Sequence, residues 1–148
     1  MIINTRPLTL ADKTNQLLKV SGIDFLHNPL TKISSISPSD EDLLKLRQLD
    51  SYDVIIFTSQ SAAKFGASFL KEHIKDNLEI PIMAIGLATQ AALNEHDLIS
   101  DVPSEFNSEG LAMLIEQRKH KTCLIFSGEK EPQLTLHTLS LIHISEPT

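Results

Sequence analysis

The chain has 148 residues, 41% of them hydrophobic and 22% charged, the make-up of a soluble globular protein with length for one packed core, or one core and a piece of another. Its formal net charge of -6 and its dispersed Lys and Arg residues exclude general nucleic-acid affinity, which needs clustered cations. No run approaches the roughly 18 to 20 apolar residues that span a bilayer, and the opening Met1-Ile2-Ile3-Asn4-Thr5-Arg6 lacks the basic start and long apolar stretch of a signal peptide, so no membrane partner and a cytoplasmic location are expected.

In chain order, a strand over Met1 to Thr5 turns at Arg6-Pro7 into a helix with apolar positions Leu10, Leu17, Leu18 and Val20, closed by Ser21-Gly22. A second strand, Phe25 to Ile36, is broken by Asn28-Pro29 and trails into the polar connector Ser34 to Ser39, where a domain crossing is expected. Ser39 then caps a short helix carrying Leu43, Leu44 and Leu46. Val54-Ile55-Ile56-Phe57 is a continuous apolar run of the kind buried on both faces of a parallel sheet. It leads through Thr58-Ser59-Gln60 into a helix from Ser61 to about Lys75, then a strand from Pro81 to Ile85 closed by Gly86. A helix from Thr89 to Glu95, a weak strand near Leu98 to Val102, a capped helix from Ser108 to Arg118 and a strand from Cys123 to Phe126 complete the pattern. Strands alternating with helices give an α/β fold: a flavodoxin-like parallel sheet flanked by helices.

In such sheets ligands bind beyond the carboxyl ends of the strands, so the strand-to-helix turns carry the information. They are alike: Thr5-Arg6-Pro7, Phe57-Thr58-Ser59, Ile85-Gly86-Leu87-Ala88-Thr89, Asn107-Ser108-Glu109-Gly110 and Phe126-Ser127-Gly128-Glu129. Each sets a hydroxyl or a glycine beside unpaired helix N–H groups, a local positive potential suited to carboxylate or phosphate even in an acidic protein. Singly, each is an ordinary cap or tight turn, and Arg6 singly is a partner for a surface carboxylate; their recurrence on one sheet edge favours binding. No phosphate-binding loop, dinucleotide fingerprint or nucleophile elbow is present. Asp50 and Asp53 lie before the Val54 strand, at the wrong edge for a site, and read as loop residues. The single cysteine, Cys123, sits in an apolar run and reads as core; the six histidines are scattered without ligand spacing, so no metal is expected.

Taken together the turns resemble those of uroporphyrinogen-III synthases. The family opens on a strand into Thr-Arg-Pro, here Thr5-Arg6-Pro7, and continues with Tyr-Asp and an apolar strand into Phe-Thr-Ser, here Tyr52 to Ser59. A strand ending in Gly-x-x-Thr follows at Ile85 to Leu93, then Pro103, Ser-Glu-Gly-Leu at Ser108 to Leu111, and an apolar strand into a glycine turn at Leu124 to Gly128. The resemblance implies a cofactor-independent lyase of tetrapyrrole (haem) biosynthesis. It would take hydroxymethylbilane, a polycarboxylate handed on by hydroxymethylbilane synthase, expel water, invert ring D through a spiro intermediate and close the macrocycle. By the same analogy Arg6, Thr58, Ser59, Gly86, Thr89, Ser108, Ser127 and Gly128 bind substrate, and no catalytic residue is assigned. The family's favoured tyrosine lies beyond the last matched strand, and Tyr52, matching the Tyr-Asp pair, does not inherit that role.

The resemblance also implies a two-domain synthase with one domain largely missing. Residues 1–36 would begin domain 1, which the C-terminal part of longer family members completes; residues 37–138 would be a nearly complete domain 2. Residues 139–148 do not continue the family pattern and read as a non-native tail resembling translated sequencing adapter. The expectation is an inactive piece whose cleft has one wall. The alternative from another class is a non-catalytic α/β sensor or small-anion binding domain using the same helix starts; a flavodoxin-like electron carrier lacks the turn aromatics that stack on a flavin.

Overall fold

The structure is a computed structural model describing residues 1–74 and 79–128, and the backbone of 139–147. It divides into two compact units, Met1–Ser34 with Pro147–Thr148, and Ser35–Glu146.

In the first unit β1 (Ile2–Asn4) pairs in parallel with β2 (Phe25–His27), placing Asn4 opposite His27. Hydrogen bonds from Asn28 N–H to the Asn4 carbonyl and from Leu30 N–H to the Thr5 carbonyl extend the pairing past the strand ends. Between the strands lie a 3-10 turn, Leu8–Leu10, and helix α1 (Asp12–Val20). The helix expected to include Leu10 therefore starts later, because Pro7 first directs the chain into the tighter turn. Gly22, at φ 66°, stops α1 as Ser21-Gly22 suggested: the Ile23 amide returns to the Leu18 carbonyl and the Gly22 amide to Lys19, which satisfies the last-turn acceptors. The expected strand over Phe25 to Ile36 is two strands, β2 and β3 (Ile33–Ser35), since Asn28-Pro29 breaks the ladder completely rather than bending it.

The second unit is the α/β sheet. Helix α2 (Asp40–Arg47) begins in a reciprocal capping box, the Asp42 amide donating to Ser39 Oγ and the Ser39 amide to the Asp42 carboxylate. Strand β4 (Val54–Phe57) is wholly buried, pairs in parallel with β5 (Ile82–Ala84) on one side and with β6 (Cys123–Gly128) on the other, and β6 pairs in parallel with β7 (Leu139–Pro147). Within this unit the strands stand in the order β7-β6-β4-β5 and every pairing between them is parallel, the α/β class the sequence predicts. Helices α3 (Gln60–His73), α4 (Leu87–Asn94) and α5 (Ser108–Gln117) complete the layers. The expected end of α3 at Lys75 lies outside the described residues.

Period-2 alternation in β4 divides the core. Ile55 and Phe57 face Leu46, Ala63, Ala67, Leu70 and Leu93 of α2, α3 and α4, whereas Val54 and Ile56 face Leu111 and Ile115 of α5. The weak strand expected near Leu98 is a single parallel bridge, Met83 with Asp101. Its backbone bonds, Asp101 N–H to Ile82 and Ala84 N–H to Asp101, are enough to carry the chain along β5 towards the start of α5.

Candidate functional site

Because the strands of unit 2 are parallel, the ends of β4, β5 and β6 share one edge, and most of the sequence-singled residues gather there. Just inside it, Phe57 and Phe126 stack in register with ring centroids 4.6 Å apart. Thr58 continues β4 and donates from both its amide, at 3.2 Å, and its hydroxyl, at 3.3 Å, to the Phe126 carbonyl, fastening the two strand ends together. Ser59 is the N-cap of α3, its hydroxyl accepting the Ala62 amide at 3.0 Å.

Gly86 is the N-cap of α4 and offers no side chain. A Cβ there would press to 3.3 Å from the Cβ of Phe106, a ring 56% exposed that stands over the turn. The N-cap of α5, Asn107, lies one residue beyond Phe106, so the β5–α4 turn and the α5 N-terminus are neighbours. Ser108 is the first residue of α5, but the cap is Asn107, whose Oδ1 accepts the Gly110 amide at 2.7 Å. An asparagine reaches the third amide as well as a serine does, and placed one residue earlier it takes the role. Gly110 is required: a Cβ would overlap the Glu105 carbonyl. Thr89 and Ser127 are buried, the latter's hydroxyl donating to the Gly128 carbonyl at 3.0 Å. Glu129 lies outside the described residues.

Arg6 stands at the corresponding edge of unit 1, where β1 ends. Its guanidinium Nη1 donates to Thr14 Oγ1 on α1 at 3.3 Å and its side chain is otherwise exposed. Its backbone is held on both sides of Cα. The Arg6 amide donates to Asn4 Oδ1 at 3.2 Å and the Arg6 carbonyl accepts from His27 Nε2 at 3.0 Å. Immediately after Arg6-Pro7 the unit has a largely apolar concavity of about 410 Å³ along Leu8, Thr9 and residues 29–33.

Residues 12–141 match the family model described as uroporphyrinogen-III synthase HemD. The chain belongs to the uroporphyrinogen-III synthase family. It is therefore a member of a lyase-type enzyme family of haem and tetrapyrrole biosynthesis. Two solved structures of uroporphyrinogen III synthase from the extremely thermophilic bacterium Thermus thermophilus share its fold. A mutant form matches with a TM-score of 0.64 at 16% identity, and the wild type with 0.51 at 17%. Each covers 99% of this chain, while the chain spans 62% of the length of either synthase. No curated protein matches by sequence.

The opposite edge of this synthase-family sheet is structural. Asp53, read as a loop residue, accepts the Lys121 amide at 2.7 Å and the Thr122 amide at 3.1 Å on one carboxylate oxygen. The Lys121 bond, then the Thr122 bond, hold its carboxyl below the usual carboxylate range. It locks the start of β4 to the start of β6. Cys123 is buried there as expected, its thiol pushed up to about 11 by burial and then by the Asp53 charge. Tyr52, just before β4, packs against the core cluster that contains Leu46 and Leu49. Among the described residues no group of three or more His, Cys, Asp or Glu is placed to hold a metal ion, and no helix is long and apolar enough to cross a membrane.

Sequence reasoning missed Asn4, Asn15, His27 and Phe106. Phe106 carried a signal, an aromatic in a polar loop directly before a helix start. The other three carried none, because what joins them is the α1–β1–β2 packing and not their spacing.

Proposed function

We propose that the parent protein converts hydroxymethylbilane to uroporphyrinogen III, with loss of water, inversion of ring D and ring closure. The observation that carries this reading is the family match over residues 12–141. The carboxylates of the substrate need cationic and N–H donors, and the chain has both: the exposed guanidinium of Arg6, and the turns at Thr58-Ser59, Gly86, Ser108 and Ser127-Gly128 at helix starts or strand ends. Thr58, Ser59, Thr89 and Ser127 shape those turns through their hydrogen bonds or packing, leaving the first amides of α3, α4 and α5 and Gly86 to meet the ligand. The exposed Phe106 and the apolar concavity after Arg6 suit pyrrole rings.

In this reading the protein acts by holding a floppy chain with its two ends close and by stabilising charge as hydroxide leaves and takes up a proton to become water. Orientation and preorganised donors are sufficient sources of rate for such a closure. The reaction as written is redox-neutral, and no cofactor is invoked. The supplier of so labile a substrate would be hydroxymethylbilane synthase. We further propose that the 148-residue chain alone is almost inactive, since domain 1 would be completed by sequence corresponding to the uncovered part of the solved synthases.

The test is a coupled assay in which hydroxymethylbilane is generated in place and the product isomers are resolved, run on this chain and on one extended through the parent gene. Type III isomer from the extended chain alone is expected. Type III from the short chain would overturn the one-walled cleft, and type I alone from both would sink the reaction.

A further inference from the structure

Four hydrogen bonds at the end of β1 run from the N–H of Arg6 round to its carbonyl. The Arg6 amide donates to Asn4 Oδ1 at 3.2 Å; Asn4 Nδ2 donates to Asn15 Oδ1 at 2.7 Å. Asn15 Nδ2 faces His27 Nδ1 at 3.3 Å, and His27 Nε2 faces the Arg6 carbonyl at 3.0 Å. A carbonyl only accepts, so His27 must carry its proton on Nε2, which leaves Nδ1 as the acceptor for the Asn15 amide. Every member then donates in the same direction. The first link is a local turn of the kind asparagine makes with the amide two residues on. The others tie β1, α1 and β2 together, and Asn4, 6% exposed, is the buried centre.

We propose that His27, Asn15 and Asn4 are positioning residues that fix the Arg6 backbone, and so aim its guanidinium at substrate carboxylate. This rests on the reading of Arg6 as a substrate-binding residue. An arginine on an open turn would otherwise lose backbone freedom on binding; a residue held at both its N–H and its C=O has lost that part beforehand. Within the chain of bonds the Asn4 and Asn15 amides and the His27 ring are each polarised by their neighbours, which strengthens the links between them.

Two substitutions separate the halves of this chain of bonds. The amide of His27→Gln reaches where Nε2 stood and keeps the bond to the Arg6 carbonyl, while His27→Asn keeps only the acceptor for Asn15. The experiment uses the chain extended through the parent gene and uroporphyrin III, the fluorescent oxidised form of the family's product, as the ligand titrated. Nitrogen-15 NMR of the wild type near pH 8 is expected to show His27 protonated on Nε2 and bare on Nδ1. His27→Ala and His27→Asn should weaken binding about five- to tenfold, the loss of roughly one hydrogen bond's organisation, and His27→Gln should restore most of it. In an Arg6→Ala background His27→Ala should cost nothing further.

A proton on Nδ1 of wild-type His27, a Gln variant no better than the Ala variant, or losses that add to that of Arg6→Ala would each overturn the positioning role. Absence of saturable binding, or Arg6→Ala binding like wild type, would overturn the reading of Arg6 itself. The NMR result stands apart from both, since it reports the hydrogen bonds without any ligand.

Discussion

Met1–Ser34 and Ser35–Glu146 are written in the same alternation of strand, helix and parallel strand, yet they are held together in different ways. In the larger unit every residue of β4 is fully buried, with helices against both faces. Among the described residues of the smaller one the only buried apolar side chain is Ala11, and Ile3, Leu8, Leu17, Val20 and Leu30 are all more than half exposed. What orders the smaller unit is polar: the hydrogen bonds through Asn4, Asn15 and His27, and the glycine stop of α1. Alternation thus specifies pairing direction without specifying burial. A stretch this short buries little apolar surface of its own.

Truncating a large side chain in each unit puts the contrast under the greatest strain. Phe57→Ala, which empties a stacked and fully buried site, should lower the stability of unit 2 by about 3–5 kcal/mol in chemical denaturation. Leu17→Ala, on a residue 61% exposed, should stay within about 0.5 kcal/mol. Equal losses would mean that α1 has a core after all.

A smaller effect tests how the helices of unit 2 are started. Asn107→Ala should cost about 1 kcal/mol through loss of the α5 cap, seen as a lower thermal midpoint, while Ser108→Ala should leave the midpoint unchanged. The reverse ranking would return the cap to Ser108.

Smallest is the pH response of the Asp53 clamp. Its carboxyl is held below the ordinary value by the Lys121 and Thr122 amides, so the folded state binds a proton less readily than the unfolded chain. The stabilisation is therefore complete above the unfolded value, about 3.9, and is lost as pH falls through the lower folded value. Asp53→Asn should flatten that part of the stability–pH curve. Because the group is exposed, the slope is shallow. A curve unchanged by the substitution would remove Asp53 from the account.

Legibility in the sequence follows the range of the forces concerned. β4 was legible because four consecutive apolar residues have few alternatives, and α2 because Ser39 and Asp42 form a local capping box. The turns at Thr58-Ser59 and Gly86 were legible because hydroxyls and glycines at strand ends obey backbone chemistry. The boundary between β2 and β3, and the demotion of Leu98–Val102 to one bridge, depend on neighbouring strands that no local window contains. Helix α1 shows a further limit: the spacing of Leu17, Leu18 and Val20 predicts a helix correctly, but not whether anything covers that face. His27 was invisible for the same reason, its meaning lying in Asn15 and Arg6.

The parallel pairing of β4 with both β5 and β6 also sets a timetable. As the chain leaves the ribosome, β4 can be flanked on one side as soon as β5 follows it, with α3 between them to make the crossover. Its other side waits for Cys123–Gly128. At about 5–20 residues per second the interval from Phe57 to β6 is on the order of several seconds. For that time the most hydrophobic strand of the nascent protein has an unpaired row of amides and carbonyls, and chaperone occupancy during synthesis should peak in that interval.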